Sequence, residues 1–147
     1  MSRIRLKLPE PQQFIYSTEI APRISDINYG NHLGHDRLIT LLHEVRLRFL
    51  AKHNFSELDI AGTSIIMADL AISYKAEVAY GECLTVDIAL IEPSRAGCTF
   101  FYLARKKSDQ KEVARATTGI VFFDYQKKKI TRIPPAFATL LQLCGER

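Results

Sequence analysis

The side chains best suited to chemistry lie close together near the start of the chain. They are two carboxylates, one amide and two histidines: Asp26, Asn28, His32, His35 and Asp36. Carboxylates and imidazoles accept and donate protons near neutral pH, and an amide can stabilise developing charge by hydrogen bonding. This stretch is therefore the first candidate for an active site.

Two glycines, Gly30 and Gly34, are interspersed among these polar residues. Glycine permits close backbone approach and unusual φ angles. A helix is predicted to begin directly after this segment, and the first backbone N–H groups of a helix lack acceptors within it. The backbone at Gly34 and His35 is therefore a candidate to face a developing oxyanion.

The polar, glycine-bearing stretch is predicted to be a loop, and the segment after it a long α-helix from about residue 34 to 53. Apolar residues recur there at spacings of three and four: Leu38, Leu41, Leu42, Val45 and Phe49. This spacing places them on one helical face. Asp36 falls in the first turn, where a negative charge complements the helix dipole. Further apolar residues widen the face, so we expect other elements to wrap around this helix.

The remaining chain has mainly the pattern of β-strands. We predict strands over residues 13–20, 64–74, 84–90, 98–105 and 113–125, and a short helix over 137–143. Residues 84–90 alternate apolar and polar side chains, which predicts a half-buried strand. Turn-like connections between the last four strands predict an antiparallel meander. The expected fold class is α+β, with an antiparallel sheet of about five strands wrapped around one long central helix.

Size and composition fit one globular domain spanning residues 1–147. The chain is 47% hydrophobic and 24% charged, which is ordinary for a soluble protein. Its three cysteines, Cys83, Cys98 and Cys144, are far apart, which argues against a disulfide framework or a zinc site. No secretory signal and no membrane-spanning run are recognisable. We therefore expect a cytoplasmic protein without a bound metal or a membrane partner.

The loop and the helix together resemble a known signature. The signature reads roughly Asp-x-Asp-x-x-Gly-His-x-x-Asn and continues into a helix that ends Glu-x-x-Arg. It is typical of the 4-hydroxybenzoyl-CoA thioesterase branch of the hotdog superfamily. In a gap-free alignment its positions fall on Asp26, Asn28, His32, His35 and Arg46. The remaining family pattern is present along nearly the whole chain.

The resemblance implies a hotdog fold that hydrolyses acyl-CoA, or an acyl carrier protein thioester, without a cofactor. It also implies a homodimer or a dimer of dimers, in which two subunits join their sheets and the acyl group lies between them. An aspartate in the loop then attacks the thioester or activates water, while a backbone N–H at the helix start polarises the carbonyl. Acyl-CoA is the expected partner, and nucleic acid is not.

This sequence departs from the family pattern at its most important position. Asn28 stands where the family's usual catalytic aspartate lies, and an amide cannot act as a nucleophilic carboxylate or as a general base. We expect Asn28 to orient water or the carbonyl beside His32. A nearby carboxylate then serves as base or nucleophile: Glu44 first, and Asp26 or Asp36 next. Glu44→Gln is accordingly expected to slow turnover by at least about a hundredfold.

The net charge of +4 suits a polyanionic ligand, and it suits a solvated lysine-rich surface equally well. Given the resemblance, Arg95 is a candidate to meet the phosphates of CoA, together with Arg105 and Lys106, and Asp36 is a second candidate for substrate binding. Nothing in the sequence places the basic side chains near the loop.

Each candidate also has a purely structural interpretation. Asp26 can brace the loop by accepting backbone N–H bonds, and Asp36 can serve only the helix dipole. Glu44 can pair with Arg48 one turn further along the helix. His32 and His35 are better explained as hydrogen-bonding loop residues than as metal ligands.

Two other functions remain open. The same fold serves as a non-catalytic acyl-CoA-binding module, and Asn28 removes the expected carboxylate. A hotdog dehydratase acting on 3-hydroxyacyl thioesters uses a histidine and a carboxylate, and His32 is compatible with that chemistry.

Overall fold

A computed structural model describes residues 3–145 and contains two α-helices, one single-turn 3₁₀ helix (Ile24–Asp26) and six strands in that part of the chain. The elements are β1 (Tyr16–Ile20), α1 (His35–Lys52), β2 (Ser64–Tyr74), β3 (Leu84–Ile91), β4 (Gly97–Lys106), β5 (Glu112–Asp124), β6 (Lys129–Ile130) and α2 (Pro135–Leu143). The predicted long helix is confirmed to within one residue at each end. The predicted short helix is also confirmed, beginning two residues earlier. Neither helix of the described chain is both long and apolar enough to cross a membrane.

The strands form one antiparallel sheet in the order β1-β3-β4-β5-β2, and the short β6 pairs with β5. The predicted α+β class, with about five strands, is confirmed. The predicted four-stranded meander is wrong, because only β3, β4 and β5 follow one another. β2 instead pairs with the far side of β5, with Ile72 opposite Ala116. The connection over residues 75–83 is longer than a tight hairpin turn and carries the chain across the sheet.

The main core lies between α1 and the concave face of the sheet. Val45, Phe49 and Leu50 on the helix are completely buried. The ring of Phe49 packs edge-on against Phe100 of β4, with the centroids 5.8 Å apart. α2 closes this core with Phe137, whose ring also contacts Phe100. Burial of these large apolar side chains is what holds the helix in the curve of the sheet.

The opposite face of the sheet is covered as well. Of the outward residues of β3, Asp87, Ala89 and Ile91 are at most 7% exposed, and Thr85 alone is half-buried. The prediction of a half-buried strand is therefore wrong. The reason is that Leu8 and Phe14, in the segment before β1, pack on this face. We call residues 3–14 the N-terminal strap.

Candidate active site

Asp26 braces the loop that precedes α1. Its side chain is buried, and its Oδ2 accepts the backbone N–H of Arg23 at 2.8 Å. Its backbone carbonyl accepts the N–H of Gly34 at 3.0 Å. The structural role considered for Asp26 is thus present in the fold. The same contacts occupy the Gly34 N–H, which was one of the two predicted oxyanion donors.

Asn28 organises the tip of the loop. Its side-chain Oδ1 accepts the backbone N–H groups of Gly30 at 2.9 Å and His32 at 3.3 Å. Two N–H donors require an oxygen acceptor, so these bonds fix which way the amide points. An added Cβ at Gly30 would lie only 3.2 Å from that oxygen, which explains the glycine. Within residues 3–145 the Nδ2 group of Asn28 has no acceptor, so it can donate to a ligand.

His32 faces a carboxylate that the sequence analysis did not identify. Its Nε2 lies 3.1 Å from Oε2 of Glu77, in the segment after β2. The side chains are 41% and 77% exposed, so water reaches the pair. No local pattern could have linked them, because only the fold brings them together. Within residues 3–145, no cluster of three or more potential metal ligands includes His32 or any other residue.

A cavity of about 480 Å³ lies between this loop, the start of α1 and the segment after β2. Its lining comes from those three parts and from the start of β5: Asn28, His32, Leu33, His35, Leu38, Tyr74, Lys75, Ala76, Glu77, Val78 and Val113. The backbone N–H of Leu33 donates to the carbonyl of Val78 at 2.7 Å and holds the two walls together. Polar groups from the loop and apolar side chains thus share one concave site.

The start of α1 contributes backbone donors to this site. The first intrahelical bond runs from the Leu38 N–H to the Gly34 carbonyl at 3.0 Å. The N–H groups of His35, Asp36 and Arg37 therefore precede any acceptor within the helix. Of the two predicted oxyanion donors, His35 lines the cavity, and its backbone N–H has no acceptor within the helix. The Gly34 N–H already donates to the carbonyl of Asp26.

Tyr74, the last residue of β2, forms the wall opposite the loop. Its hydroxyl donates to the backbone carbonyl of His35 at 2.8 Å, and its ring meets the His35 ring edge-on at 5.9 Å. Burial, and to a lesser extent the nearby Asp36 carboxylate, raise the pKa of Tyr74. The phenol therefore remains a hydrogen-bond donor at neutral pH.

Comparison with known protein families matches residues 22–141 to the thioesterase-like superfamily. The chain belongs to this superfamily. The match covers the loop, α1, all strands after β1 and most of α2. Comparison with the sequences of characterised proteins gives no significant match.

Solved structures of similar fold support the assignment of this thioesterase-like protein to the hotdog architecture. It is similar to a 1,4-dihydroxy-2-naphthoyl-CoA thioesterase from Synechocystis, with 17% identity, a TM-score of 0.79 and coverage of 86% of this chain and 95% of that one. It is similar to a thioesterase-superfamily protein from Jannaschia sp. CCS1, with 15% identity, a TM-score of 0.81 and coverage of 92% and 87%.

A third similar structure is a hypothetical protein from Staphylococcus aureus in complex with CoA. It has 14% identity, a TM-score of 0.78 and coverage of 94% of this chain and 87% of that one. At such identities the likeness concerns the fold, and the predicted hotdog fold of the thioesterase-like protein is confirmed.

In the thioesterase-like protein, Glu44 lies apart from the cavity. Its Oε2 is 2.5 Å from Nη2 of Arg48, and its Oε1 is 3.9 Å from Arg23. Arg48 in turn donates to the carbonyl of Glu19 in β1 at 2.8 Å. Glu44 therefore points toward the β1 side of the helix. The structure brings Asn28 and His32 together but does not bring Glu44 to them within one chain.

The other predicted substrate-binding side chains are also distributed. Asp36 sits beside the cavity wall at Tyr74. Arg95 lies in the turn before β4, at the end of the sheet where Gly97 pairs with Val121. The cavity touches the opposite end of β5, at Val113. Two further cations that the sequence suggested are engaged elsewhere: Arg105 with Asp87 at 2.5 Å and Lys106 with Glu82 at 3.1 Å.

A buried polar network lies beneath the other side of α1. Arg46 is 6% exposed, donates to the Tyr102 hydroxyl at 3.0 Å and pairs with Glu57 at 2.9 Å. Glu57 also contacts His43 at 3.0 Å. Burial alone would raise the pKa of Glu57. The hydrogen bond from His43 and the charge and hydrogen bonds of Arg46 outweigh that effect and lower it.

Proposed function

We propose that this protein hydrolyses acyl-CoA thioesters in the cavity between the Asn28–His32 loop and the Tyr74–Val78 segment. The observation that carries the proposal is the orientation of Asn28. Both loop N–H groups bind its Oδ1, so its Nδ2 donors are presented to a ligand in the cavity. An acyl carbonyl oxygen is the acceptor that such a donor stabilises during hydrolysis.

The thioester carbonyl is bound by two kinds of donor. The Nδ2 group of Asn28 comes from the loop, and the backbone N–H of His35 comes from the start of α1. The carbonyl oxygen gains negative charge when water attacks the carbon, and donors fixed in place before the reaction stabilise that charge. The helix dipole adds a partial positive charge at the same end.

His32 is the proposed proton carrier. The Glu77 carboxylate contacts Nε2 of His32, so the tautomer with a proton on Nε2 is favoured and Nδ1 is left as the acceptor. Water then attacks the carbonyl carbon while its proton passes to His32. Collapse of the intermediate breaks the carbon–sulfur bond, and the proton is returned to the departing sulfur. The products are a free acid and the thiol of CoA.

Two of the similar structures support CoA as the carrier. One is a thioesterase whose substrate is a naphthoyl-CoA, and another was solved in complex with CoA. The acyl group itself is left open, because the cavity is lined by a mixture of polar and apolar residues that fits several acyl classes.

A second copy of the chain is proposed to complete the site. β2 lies at one edge of the sheet, and no strand of residues 3–145 pairs with its outer side. Met67 and Leu70 on this strand are 55% and 38% exposed. A long apolar edge strand favours pairing with another strand. Since Tyr74 ends β2 and lines the cavity, pairing of two such edges places both cavities at the subunit interface.

Substrate profiling tests the proposed function. Purified protein is incubated with short, medium, long and aromatic acyl-CoAs, while thiol release and enoyl absorbance are followed together. Thiol release supports hydrolysis. A change in enoyl absorbance without thiol release indicates a dehydratase, and tight binding without either indicates a binding module. Equilibrium sedimentation at micromolar concentration tests the dimer, which a strictly monomeric active protein would contradict.

A further inference from the structure

A groove continues from the candidate active site toward the N-terminal strap. The cavity wall at Tyr74 and Lys75 also lines an adjoining space of about 560 Å³, whose other side is formed by residues 3–6. A third space of about 380 Å³ follows along Lys7 and Ser73. The three spaces share residues at the end of β2, so they form one path from the loop to the strap.

The groove is lined by unpaired positive charges. Arg3, Arg5, Lys7 and Lys75 are all exposed. Within residues 3–145, none of these four side chains has a carboxylate at ion-pair distance. Four cations along one groove produce a local positive potential that attracts a polyanion.

The carboxylates at the strap end of this groove are ion-paired, whereas Glu77 at the cavity end contacts His32. Arg115 pairs with Glu10 of the strap and with Glu112 of β5. Leu8 and Phe14 pack on the outer face of the sheet and fix the rest of the strap. The strap is thus anchored by apolar contacts and one ion-pair cluster, and this leaves Arg3 and Arg5 directed to solvent beside β2.

We infer that this groove binds the phosphate groups of the CoA nucleotide, which deepens and rests on the proposed function. With the thioester at Asn28, the pantetheine arm passes over Tyr74 and Lys75 and the phosphates meet Arg3 and Arg5. Guanidinium groups bind phosphate in a bidentate manner, and the several negative charges of the CoA phosphates suit a groove lined by four cations. The strap, and not Arg95 at the other end of the sheet, then binds the phosphates.

The decisive comparison uses two substrates that differ only in the nucleotide. Hydrolysis of an acyl-CoA and of the matching acyl-pantetheine is measured for the wild type and for the Arg3→Ala/Arg5→Ala variant. The variant should raise KM for acyl-CoA about tenfold with kcat unchanged, because the lost bonds are equally present in ground and transition states. KM for acyl-pantetheine should not change.

A charge-matched variant controls for the loss of two positive charges. Lys127→Ala/Lys129→Ala removes two exposed cations around the β5–β6 turn and should leave both KM values unchanged. Equal changes for the two substrates, or none, in Arg3→Ala/Arg5→Ala would overturn the inference. So would a rise in KM for acyl-CoA in Arg95→Ala alone, or a defect confined to acyl carrier protein thioesters.

A binding measurement separates this inference from the proposed function. Adenosine 3′,5′-bisphosphate is titrated calorimetrically into the wild type, the strap variant and the charge-matched control. We expect binding that is about tenfold weaker in the strap variant only. If the proposed function is wrong, neither substrate releases thiol. If the groove does not bind the nucleotide, Arg3→Ala/Arg5→Ala leaves the affinity for the bisphosphate unchanged.

Discussion

The hydroxyl of Tyr74 donates a hydrogen bond to the backbone carbonyl of His35 at 2.8 Å and so ties the end of β2 to the start of α1. This contact joins the strand at the open sheet edge to the helix turn that offers backbone donors to the substrate. The bond therefore helps to fix the helix start relative to the end of β2. In a dimer formed through β2, the interface would help to position the His35 N–H.

Tyr74→Phe removes only this hydrogen bond and keeps the ring contact. We expect a loss of about 1 kcal/mol in the free energy of unfolding, together with a lower kcat, because the helix start is less firmly held. Urea denaturation and steady-state kinetics measure the two effects. Tyr80→Phe is the matched control, since Tyr80 is 61% exposed. Identical behaviour of the two variants would show that the bond positions nothing.

Glu44 of α1 and Glu57 each pair with an arginine, and the two arginines differ in burial. Glu57 binds the buried Arg46, whereas Glu44 binds Arg48, whose side chain is 38% exposed. Glu57→Gln should cost about 2–3 kcal/mol of stability, because it leaves a buried charge without its partner. Glu44→Gln should cost at most about 0.5 kcal/mol. Equal losses in thermal unfolding would contradict the assigned difference in burial.

The lowered pKa of Glu57 also predicts how stability depends on pH. A carboxyl whose pKa is lower in the folded state stabilises the fold above its ordinary value of 4.5 and loses this contribution as the pH falls through the folded value. The wild type should therefore lose stability more steeply than Glu57→Gln below about pH 4.5. Parallel profiles of the two proteins in chemical denaturation between pH 3 and 6 would refute this.

Asn28→Asp separates the two roles of Asn28. The carboxylate can still accept the N–H groups of Gly30 and His32, so the loop should fold normally. It cannot donate to the carbonyl oxygen, and kcat should fall by about 10²-fold. Circular dichroism and single-turnover kinetics check the two parts. A variant faster than the wild type would show that a carboxylate at this position catalyses the reaction and would reverse the role given to Asn28.

The local elements could be predicted from the sequence because their periodicities are strong. Leu38, Leu41, Leu42, Val45 and Phe49 define the inner face of α1 without reference to any other element. The pairing of β2 with β5 could not be predicted from the sequence. A period of two identifies the faces of a strand but not its neighbours. The burial of Ala89 and Ile91 was missed for a similar reason, as their cover comes from the distant strap.

The candidate site was predictable only in part. Asn28, His32 and His35 form a sequence cluster, and the fold places all three on one cavity. Glu77 could not be found, because its partner His32 lies on a different element and no pattern relates them. Glu44 was ranked first as the base on helix position alone. Its ion pair with Arg48 depends on which side of α1 faces β1, which spacing does not reveal.

The proton carrier is where the two assignments differ most. His32 with Glu77 is the pair proposed from the structure, and Glu44 is the base expected from the family pattern. Both variants that separate them, His32→Gln and Glu44→Gln, retain the size and polarity of the site, so folded protein is expected for each.

The most direct test is the rate of thiol release from acyl-CoA by wild type, His32→Gln and Glu44→Gln at neutral pH. The wild type should release thiol, His32→Gln should be slower by at least about 10²-fold, the typical contribution of a general base, and Glu44→Gln should remain within a few-fold of the wild type. Full activity of His32→Gln combined with an inactive, folded Glu44→Gln would contradict the role of His32 and would identify Glu44 of α1 as the base.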